Sequence, residues 1–168
     1  MVKRYRHHFR SEADGLRISV LSISPDTPPY RGMIQIVHGM CEYKERYEPF
    51  MEYMAEKGYL TVIHDHRGHG RSVLTGDDLG YMYGGGAEAL LKDIETVNRG
   101  LRNKYPDLPL ILMGHSMGSL AVRAFAASHD DCMDMLIVCG SPSNRKARRL
   151  VTIIARAEGG VLGSRHRS

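Results

Sequence analysis

The chemistry of this chain is most readily located at a serine between two glycines, in the pattern Gly114-x-Ser116-x-Gly118. A serine hydroxyl becomes a nucleophile when it is held exposed and a base can take its proton. The next residue, Met117, would begin a helix, and its free N–H group would face an oxygen that acquires negative charge under attack. The pattern therefore predicts a nucleophile for acyl transfer at Ser116 and an oxyanion donor at Met117.

The residues around Ser116 predict a strand before it and a helix after it. Residues 110–113 are a short apolar run, and apolar residues continue at helical spacing over 120–126. A turn this tight is expected to strain the backbone of the serine. It also brings Gly114 close to Gly118, so neither position has room for a Cβ. The alternative is a chance match in a glycine-bearing loop, and the flanking elements disfavour it.

Strands and helices alternate along the rest of the chain. The runs 5–10 and 16–23, joined by a turn at Asp14-Gly15, predict an opening hairpin. Apolar strands are predicted at 33–37, 59–63 and 135–139, and amphipathic helices at 45–57 and around 90–101. This order predicts an α/β fold whose sheet is mostly parallel and doubly wound, with an antiparallel hairpin at the N-terminus.

Composition restricts the class of protein. The chain has 168 residues, of which 42% are hydrophobic and 25% charged, which suits one domain with a real core. We find no run long enough to span a membrane and no signal peptide, so a cytoplasmic protein is expected. An odd set of cysteines without metal-like spacing indicates free thiols; these are Cys41, Cys132 and Cys139.

No metal or other cofactor is predicted. The segment 64–69 holds three histidines and Asp65, and it could be mistaken for a metal cluster. Neighbouring side chains of an extended segment point in opposite directions, however, so these groups would not converge on one ion. We therefore interpret the segment as a polar loop that follows a strand.

The positive charge lies at the C-terminal end. The chain has a net charge of +4, and residues 145–168 contain seven Lys or Arg against the single acid Glu158. Aromatic residues are absent from that segment, so nucleic acid is not an expected partner. A solvated basic helix face is the preferred interpretation, and contact with an anionic membrane surface comes second.

Three motifs in the order seen here resemble those of the α/β-hydrolases. They are His38-Gly39-Met40 after the third strand, His-Asp-His-Arg-Gly-His-Gly-Arg-Ser at 64–72 after the fourth, and the serine motif at 114–118. The chain is most similar to the monoacylglycerol lipase and lysophospholipase branch, which is grouped with serine aminopeptidase-like hydrolases. The resemblance extends over essentially the whole chain, and it implies an α/β-hydrolase fold.

The resemblance also implies roles for single residues. Ser116 would be the nucleophile, and the backbone N–H groups of Met40 and Met117 would bind the oxyanion. His38 would shape the oxyanion loop, and Cys41 would be a small buried side chain beside it. Three residues of the loop after the fourth strand would brace the site, namely Asp65, Arg67 and His69.

The length of the chain departs from this family, whose members are about twice as long. The triad acid and histidine follow later in such proteins, beyond a lid, and neither can be assigned here. We therefore expect residues 1–142 to be the N-terminal part of the hydrolase core and 143–168 to begin a lid.

Two hypotheses of function follow. The first is a serine hydrolase of carboxylic esters, of monoacylglycerol or lysophospholipid type, with aminopeptidase-like specificity still open. The second is a catalytically incomplete piece that acts in binding or assembly. The apolar strand 135–139 would then form an unpaired sheet edge through which copies of the chain could associate.

Overall fold

The computed structural model describes residues 1–142. They form six strands and three α-helices, which run in the order β1 (Val2–Arg10), β2 (Arg17–Pro25), β3 (Gly32–Val37), α1 (Glu48–Glu56), β4 (Tyr59–His64), α2 (Gly86–Lys104), β5 (Leu110–His115), α3 (Met117–Ala126) and β6 (Met135–Cys139). The predicted start of a lid at 143–168 lies outside the described residues. No α-helix in residues 1–142 is both long and apolar enough to cross a lipid bilayer.

The predicted N-terminal hairpin is present and is longer than expected. Strand β1 pairs antiparallel with β2 from Val2 opposite Pro25 to Arg10 opposite Arg17. The turn between them includes Gly15, whose φ of 72° lies in the left-handed region that glycine adopts without strain. Side chains on both faces of β2 are buried, whereas most of β1 is exposed, so β1 forms one border of the sheet.

The six strands form one sheet in the order β1-β2-β4-β3-β5-β6. Strand β2 pairs antiparallel with β4, whereas β3, β4, β5 and β6 are parallel to one another. The prediction of a mostly parallel sheet with an antiparallel hairpin is therefore confirmed. Parallel strands place their carboxyl ends at one edge, so the loops after β3, β4 and β5 meet there.

Helices cover both faces of the sheet, and β3 is therefore buried on both sides. Ile34 and Ile36 pack with Met51 and Ala55 of α1 on one face. On the other face, Met33 packs with Val97 of α2, and a further cluster combines residues of α2 and α3. That cluster consists of Val37, Leu90, Ile94, Leu112, Ala121, Val122 and Phe125.

The predicted helix over 45–57 is divided into two parts. A 3₁₀ turn occupies Lys44–Tyr47, and the α-helix begins only at Glu48. Pro49 explains this boundary, because proline has no N–H to donate and is tolerated in the first turn of an α-helix but not in its interior. The short turn positions the residues that follow β3 beside the loop that follows β4.

Strand β6 pairs with β5 along one side only within residues 1–142. It is also the least buried of the parallel strands, with Met135 54%, Leu136 37% and Val138 40% exposed. The predicted strand at 135–139 is present and forms an edge of the sheet within residues 1–142. Association of copies through this edge stays a prediction.

Candidate active site

Ser116 occupies the sharp turn between β5 and α3. Strand β5 ends at His115 and the helix begins at Met117, so the turn consists of Ser116 alone. Its φ of 52° and ψ of −115° lie in a sparsely populated region for a residue with a side chain, and such strain persists only where the surrounding structure enforces it. The predicted strand, turn and helix around Ser116 are therefore confirmed.

Close backbone packing explains why glycine precedes and follows this serine by two residues. A Cβ on Gly114 would overlap the carbonyl oxygen of Gly118. A Cβ on Gly118 would in turn overlap the carbonyl oxygens of Val37 and His38, which belong to the end of β3 and the loop after it. A side chain at Gly114 would therefore push α3 away from β5, and a side chain at Gly118 would push α3 away from the end of β3.

Two backbone hydrogen bonds fix Ser116 from opposite sides. Its N–H donates to the carbonyl of Cys139 at 2.9 Å, and its own carbonyl accepts from the N–H of Ser119 at 3.0 Å. The first N–H groups of a helix have no acceptor within the helix, and Met117 is the first residue of α3. The Met117 N–H is therefore placed next to the Ser116 side chain with the positive end of a helix dipole behind it.

The loop after β3 lies against Ser116. A Cβ built on Gly39 would be 3.1 Å from the Ser116 Cβ. The next residue, Met40, exposes 66% of its surface, so its predicted contribution is that of a backbone group rather than of its side chain. The expectation that Cys41 is buried is wrong, because its φ of 59° turns the chain outward and leaves the residue exposed.

His38 holds the loop from beneath, as the resemblance implied. It is fully buried, its Nε2 accepts the backbone N–H of His66 at 3.0 Å, and its Nδ1 lies 2.7 Å from the Gly39 carbonyl. An Nε2 that accepts requires Nδ1 to carry the proton, so the ring is neutral and donates to Gly39. Burial lowers the pKa of His38 to about 4, although the hydrogen bond to Gly39 opposes that change.

Glu42 lies at the site next to Gly39 and His115, although none of the three sequence motifs includes it. Its Oε2 accepts the N–H of Gly39 at 2.7 Å and the hydroxyl of Tyr47 at 2.8 Å, and it lies 3.1 Å from His115 Nδ1. Burial raises the pKa of Glu42, but these hydrogen bonds outweigh burial and hold the pKa below its ordinary value. One carboxylate therefore fixes both the loop after β3 and His115, the residue before Ser116.

Four histidines lie together behind this loop, and three of them are completely buried. The rings of His38 and His66 are 3.9 Å apart, and those of His64 and His66 are 5.1 Å apart, with His69 at the border of the group. Burial lowers the pKa of His64 to about 3 and that of His66 well below its ordinary value. Within the described part of the chain, no three metal-binding side chains are placed to hold an ion.

Asp65 and Arg67 connect the loop after β4 to distant parts of the chain. Asp65 accepts the backbone N–H groups of Lys44 and Arg71 and pairs with the Lys44 ammonium, and both members of this ion pair are buried. Arg67 is fully buried, donating to Asp93 at 3.0 Å and to Asp14 at 2.9 Å. The loop is thus tied to α2, to the hairpin turn and to the segment after β3.

We expect Arg67→Met to destabilise the fold by roughly 3–5 kcal/mol, because it leaves the buried Asp93 carboxylate without its counter-charge. Urea unfolding at pH 7 measures the change. Arg99→Met is the matched control, since Arg99 forms a 2.7 Å ion pair with Glu12 but is half exposed, and its loss should cost no more than about 1 kcal/mol. Equal losses in both variants would contradict the bracing role of Arg67.

Two histidines near Ser116 in the sequence contact other groups instead of its hydroxyl. His115 faces Glu42, and the ring of His129 stacks on Phe125 with 4.4 Å between centroids. In residues 1–142 no histidine forms a hydrogen bond to the Ser116 hydroxyl. The described site therefore contains a strained serine, two candidate oxyanion donors and their supports, but no base in contact with the serine.

Comparison with known proteins identifies this arrangement. The sequence model of the family described as "Serine aminopeptidase, S33" matches residues 28–168. The monoacylglycerol lipase of Mycolicibacterium smegmatis is 32% identical over 148 residues, which cover 84% of this chain and 48% of that protein. Human monoglyceride lipase is 31% identical over 115 residues, covering 68% and 36% respectively.

Solved structures agree with the sequence relatives. A thermostable carboxyl esterase from Bacillus coagulans superposes with a TM-score of 0.81 at 28% identity, over 92% of this chain and 50% of that one. The chain thus spans about half the length of the relatives that it matches, or less. With the strand order, the strained serine and the family match in agreement, the chain belongs to the serine aminopeptidase S33 family and has the α/β-hydrolase fold.

Proposed function

We propose that this chain contributes the nucleophile and the oxyanion hole of a serine hydrolase that cleaves carboxylic esters. The observation that supports this most directly is the conformation of Ser116, which is strained at φ 52° between a buried strand and a helix N-terminus. Backbone strain of this kind clusters at functional sites. The loop at Gly39, packed against the same serine, supplies the second half of an oxyanion hole.

In the proposed reaction the Ser116 hydroxyl oxygen attacks the ester carbonyl carbon and its proton passes to a base. The carbonyl oxygen becomes an oxyanion, which the N–H groups of Met117 and Met40 bind. Collapse of this intermediate breaks the bond to the alcohol oxygen, and the alcohol leaves with the proton. Water then cleaves the acyl-serine ester and releases the carboxylic acid. We propose that the triad acid and base lie outside residues 1–142.

The proposed substrates are esters of monoacylglycerol or lysophospholipid type. The names of two relatives, a monoacylglycerol lipase and a monoglyceride lipase, support this class. The family description leaves an aminopeptidase-like specificity as the alternative. We further propose that residues 1–142 belong to the hydrolase core and that 143–168 begin a lid, whose basic residues would contact an anionic lipid surface.

A second candidate role is assembly without catalysis. It is favoured by β6, which combines an unpaired edge within residues 1–142 with three apolar side chains that are more than a third exposed. Such an edge is a template for pairing with a strand of another chain. In this alternative the chain would form oligomers and Ser116 would show no enhanced reactivity.

Covalent labelling tests the proposed nucleophile. A fluorophosphonate probe should label a polypeptide that contains these 168 residues together with the triad acid and base, and Ser116→Ala should abolish that labelling because it removes the hydroxyl that the base would activate. The 168-residue chain alone should hydrolyse esters only about 10³–10⁴-fold faster than water, the residual effect of an oxyanion hole without a triad.

The matched control is Ser128→Ala, which removes an exposed hydroxyl just after α3 that lies 2.9 Å from the Nδ1 of His129. It should leave labelling unchanged. Labelling that survives Ser116→Ala would reject Ser116 as the nucleophile. Absence of labelling in the complete polypeptide, together with oligomers in light scattering, would favour the assembly role instead.

A further inference from the structure

A basic cavity lies beside the N-terminal hairpin, away from the serine turn. Its volume is about 280 Å³, and four of its seven lining residues are arginine or lysine. The lining residues are Arg6, His7, His8, Arg17, Ser19, Lys44 and Arg71. None of them belongs to the turn at Ser116 or to the loop 38–42, so the proposed ester hydrolysis does not account for this cavity.

Sheet pairing assembles these residues from four separate segments. His8 of β1 lies directly opposite Ser19 of β2, and two positions further along Arg10 lies opposite Arg17. Lys44 follows β3 and Arg71 follows β4, and Asp65 joins them by accepting from the backbone of each. The turn end of the hairpin therefore meets the loops at the carboxyl edge of the parallel strands.

Carboxylates already neutralise two of the four cations. Arg6 forms a 2.7 Å ion pair with Glu48 of α1. Lys44 is 1% exposed and lies between Asp65 and Glu45, with the latter at 3.1 Å. Arg6 and Lys44 therefore line the cavity in fixed positions, and their charges are already compensated by carboxylates.

The other two cations lack a close counter-charge. Within residues 1–142, Arg17 has no ion pair, and its Nη2 lies 3.4 Å from the Nδ1 of His8. It also lies directly opposite Arg10, and like charges in that arrangement repel each other. The guanidinium of Arg71 is 74% exposed and comes no closer than 3.8 Å to Glu45, which is shared with Lys44. An anion in the cavity would relieve this repulsion.

We propose that the cavity binds a phosphate group, either as inorganic phosphate or as a phosphomonoester. A phosphomonoester carries between −1.5 and −2 charges at pH 7, as in phosphoserine, which matches the two guanidinium groups of Arg17 and Arg71. Guanidinium also fits phosphate oxygens in a bidentate manner, which makes arginine the preferred residue for this ligand. The Ser19 hydroxyl adds a neutral donor, and the cavity volume leaves room for a small group on the phosphate.

Calorimetric titration of the 168-residue chain with inorganic phosphate, in a phosphate-free buffer of low salt, tests the proposal. A parallel sedimentation assay uses phosphatidylcholine vesicles with and without phosphatidic acid, whose headgroup is a phosphomonoester. Arg17→Gln and Arg71→Gln should each weaken binding at least about tenfold, since each removes a charged hydrogen bond to phosphate. Arg123→Gln is the matched control, because it removes the same charge from an exposed position on α3.

One supporting outcome is saturable binding of inorganic phosphate that is weakened by Arg17→Gln and Arg71→Gln but not by Arg123→Gln. That result would support a site for soluble phosphate. Binding only to vesicles with phosphatidic acid, lost in the same two variants, would support the lipid headgroup as the source. Equal weakening by Arg123→Gln, or no weakening by the cavity variants, would overturn the proposal in favour of general attraction to a basic protein. All variants are surface changes, so unchanged thermal melts should accompany each result.

Discussion

Lowering the pH from 7 to 4.5 is expected to remove most of the stability of the described domain. His38, His64 and His66 are completely buried, and burial depresses the pKa of each below the ordinary value of 6.5, to about 4 for His38 and about 3 for His64. The unfolded chain therefore binds protons at these histidines below pH 6.5, while the folded chain does not. Their contribution to stability is complete above pH 6.5 and is lost as the pH falls toward 4.

The size of this effect follows from proton linkage. Each histidine that is protonated only in the unfolded state lowers the free energy of unfolding by about 1.4 kcal/mol per pH unit. Three such residues together give about 4 kcal/mol per pH unit between pH 6 and pH 4.5. A domain has only about 5–15 kcal/mol of net stability, so two pH units are enough to remove most of it.

Urea unfolding at several pH values measures this slope, and His64→Leu isolates one histidine. Both ring nitrogens of His64 lack a hydrogen-bond partner in the described structure, so leucine removes the titrating group without breaking a bond. The slope should fall by about 1.4 kcal/mol per pH unit, with little loss of stability at pH 7. An unchanged slope in His64→Leu would show that the acid sensitivity comes from other groups.

Gly118→Ala is expected to be the most disruptive single substitution at the site. The new Cβ would overlap the backbone carbonyl oxygens of Val37 and His38, which cannot rotate away as a side chain can. Helix α3 would have to move away from the end of β3, which would separate the Met117 N–H from the Gly39 loop. We expect a loss of more than about 4 kcal/mol in stability, a magnitude that point mutants reach only through such defined clashes.

Gly100→Ala provides the matched control for this substitution. Gly100 lies within α2, its backbone is helical and a Cβ there meets nothing within 4 Å. Alanine at that position should stabilise the protein by about 0.5–1 kcal/mol, because it favours the helix and restricts the unfolded chain. Urea unfolding of both variants compares them, and similar small changes in the two would show that the serine turn tolerates side chains.

The serine turn could be predicted from the sequence because its causes are local. An apolar strand, a glycine on either side of Ser116 and a helical pattern after it all lie within 17 residues, from 110 to 126. Glu42 could not be recognised in the same way. Its partners are a backbone N–H, a tyrosine five residues later and His115, 73 residues away, and only the folded sheet brings these groups together.

The contacts of Arg67 and the basic cavity could not be predicted from the sequence, because both depend on charged residues that are far apart along the chain. Arg67 reaches Asp14 across 53 residues and Asp93 across 26, so no spacing rule pairs them. The basic cavity combines residues from the hairpin with residues from two later loops. The outward turn at Cys41 was missed for a different reason, since a positive φ at a cysteine has no sequence signal of the kind that glycine provides.

The hydrogen bond from the Ser116 N–H to the carbonyl of Cys139 connects the proposed nucleophile to the last residue of strand β6. Strands that pair on one side only fray more readily than central strands, because fewer bonds must break to release them. Each time β6 frays at its end, Ser116 loses one of the two backbone bonds that fix its strained conformation. A strand that paired with the edge of β6 that is unpaired within residues 1–142 would suppress this fraying, and it would thereby hold the serine in position without touching it.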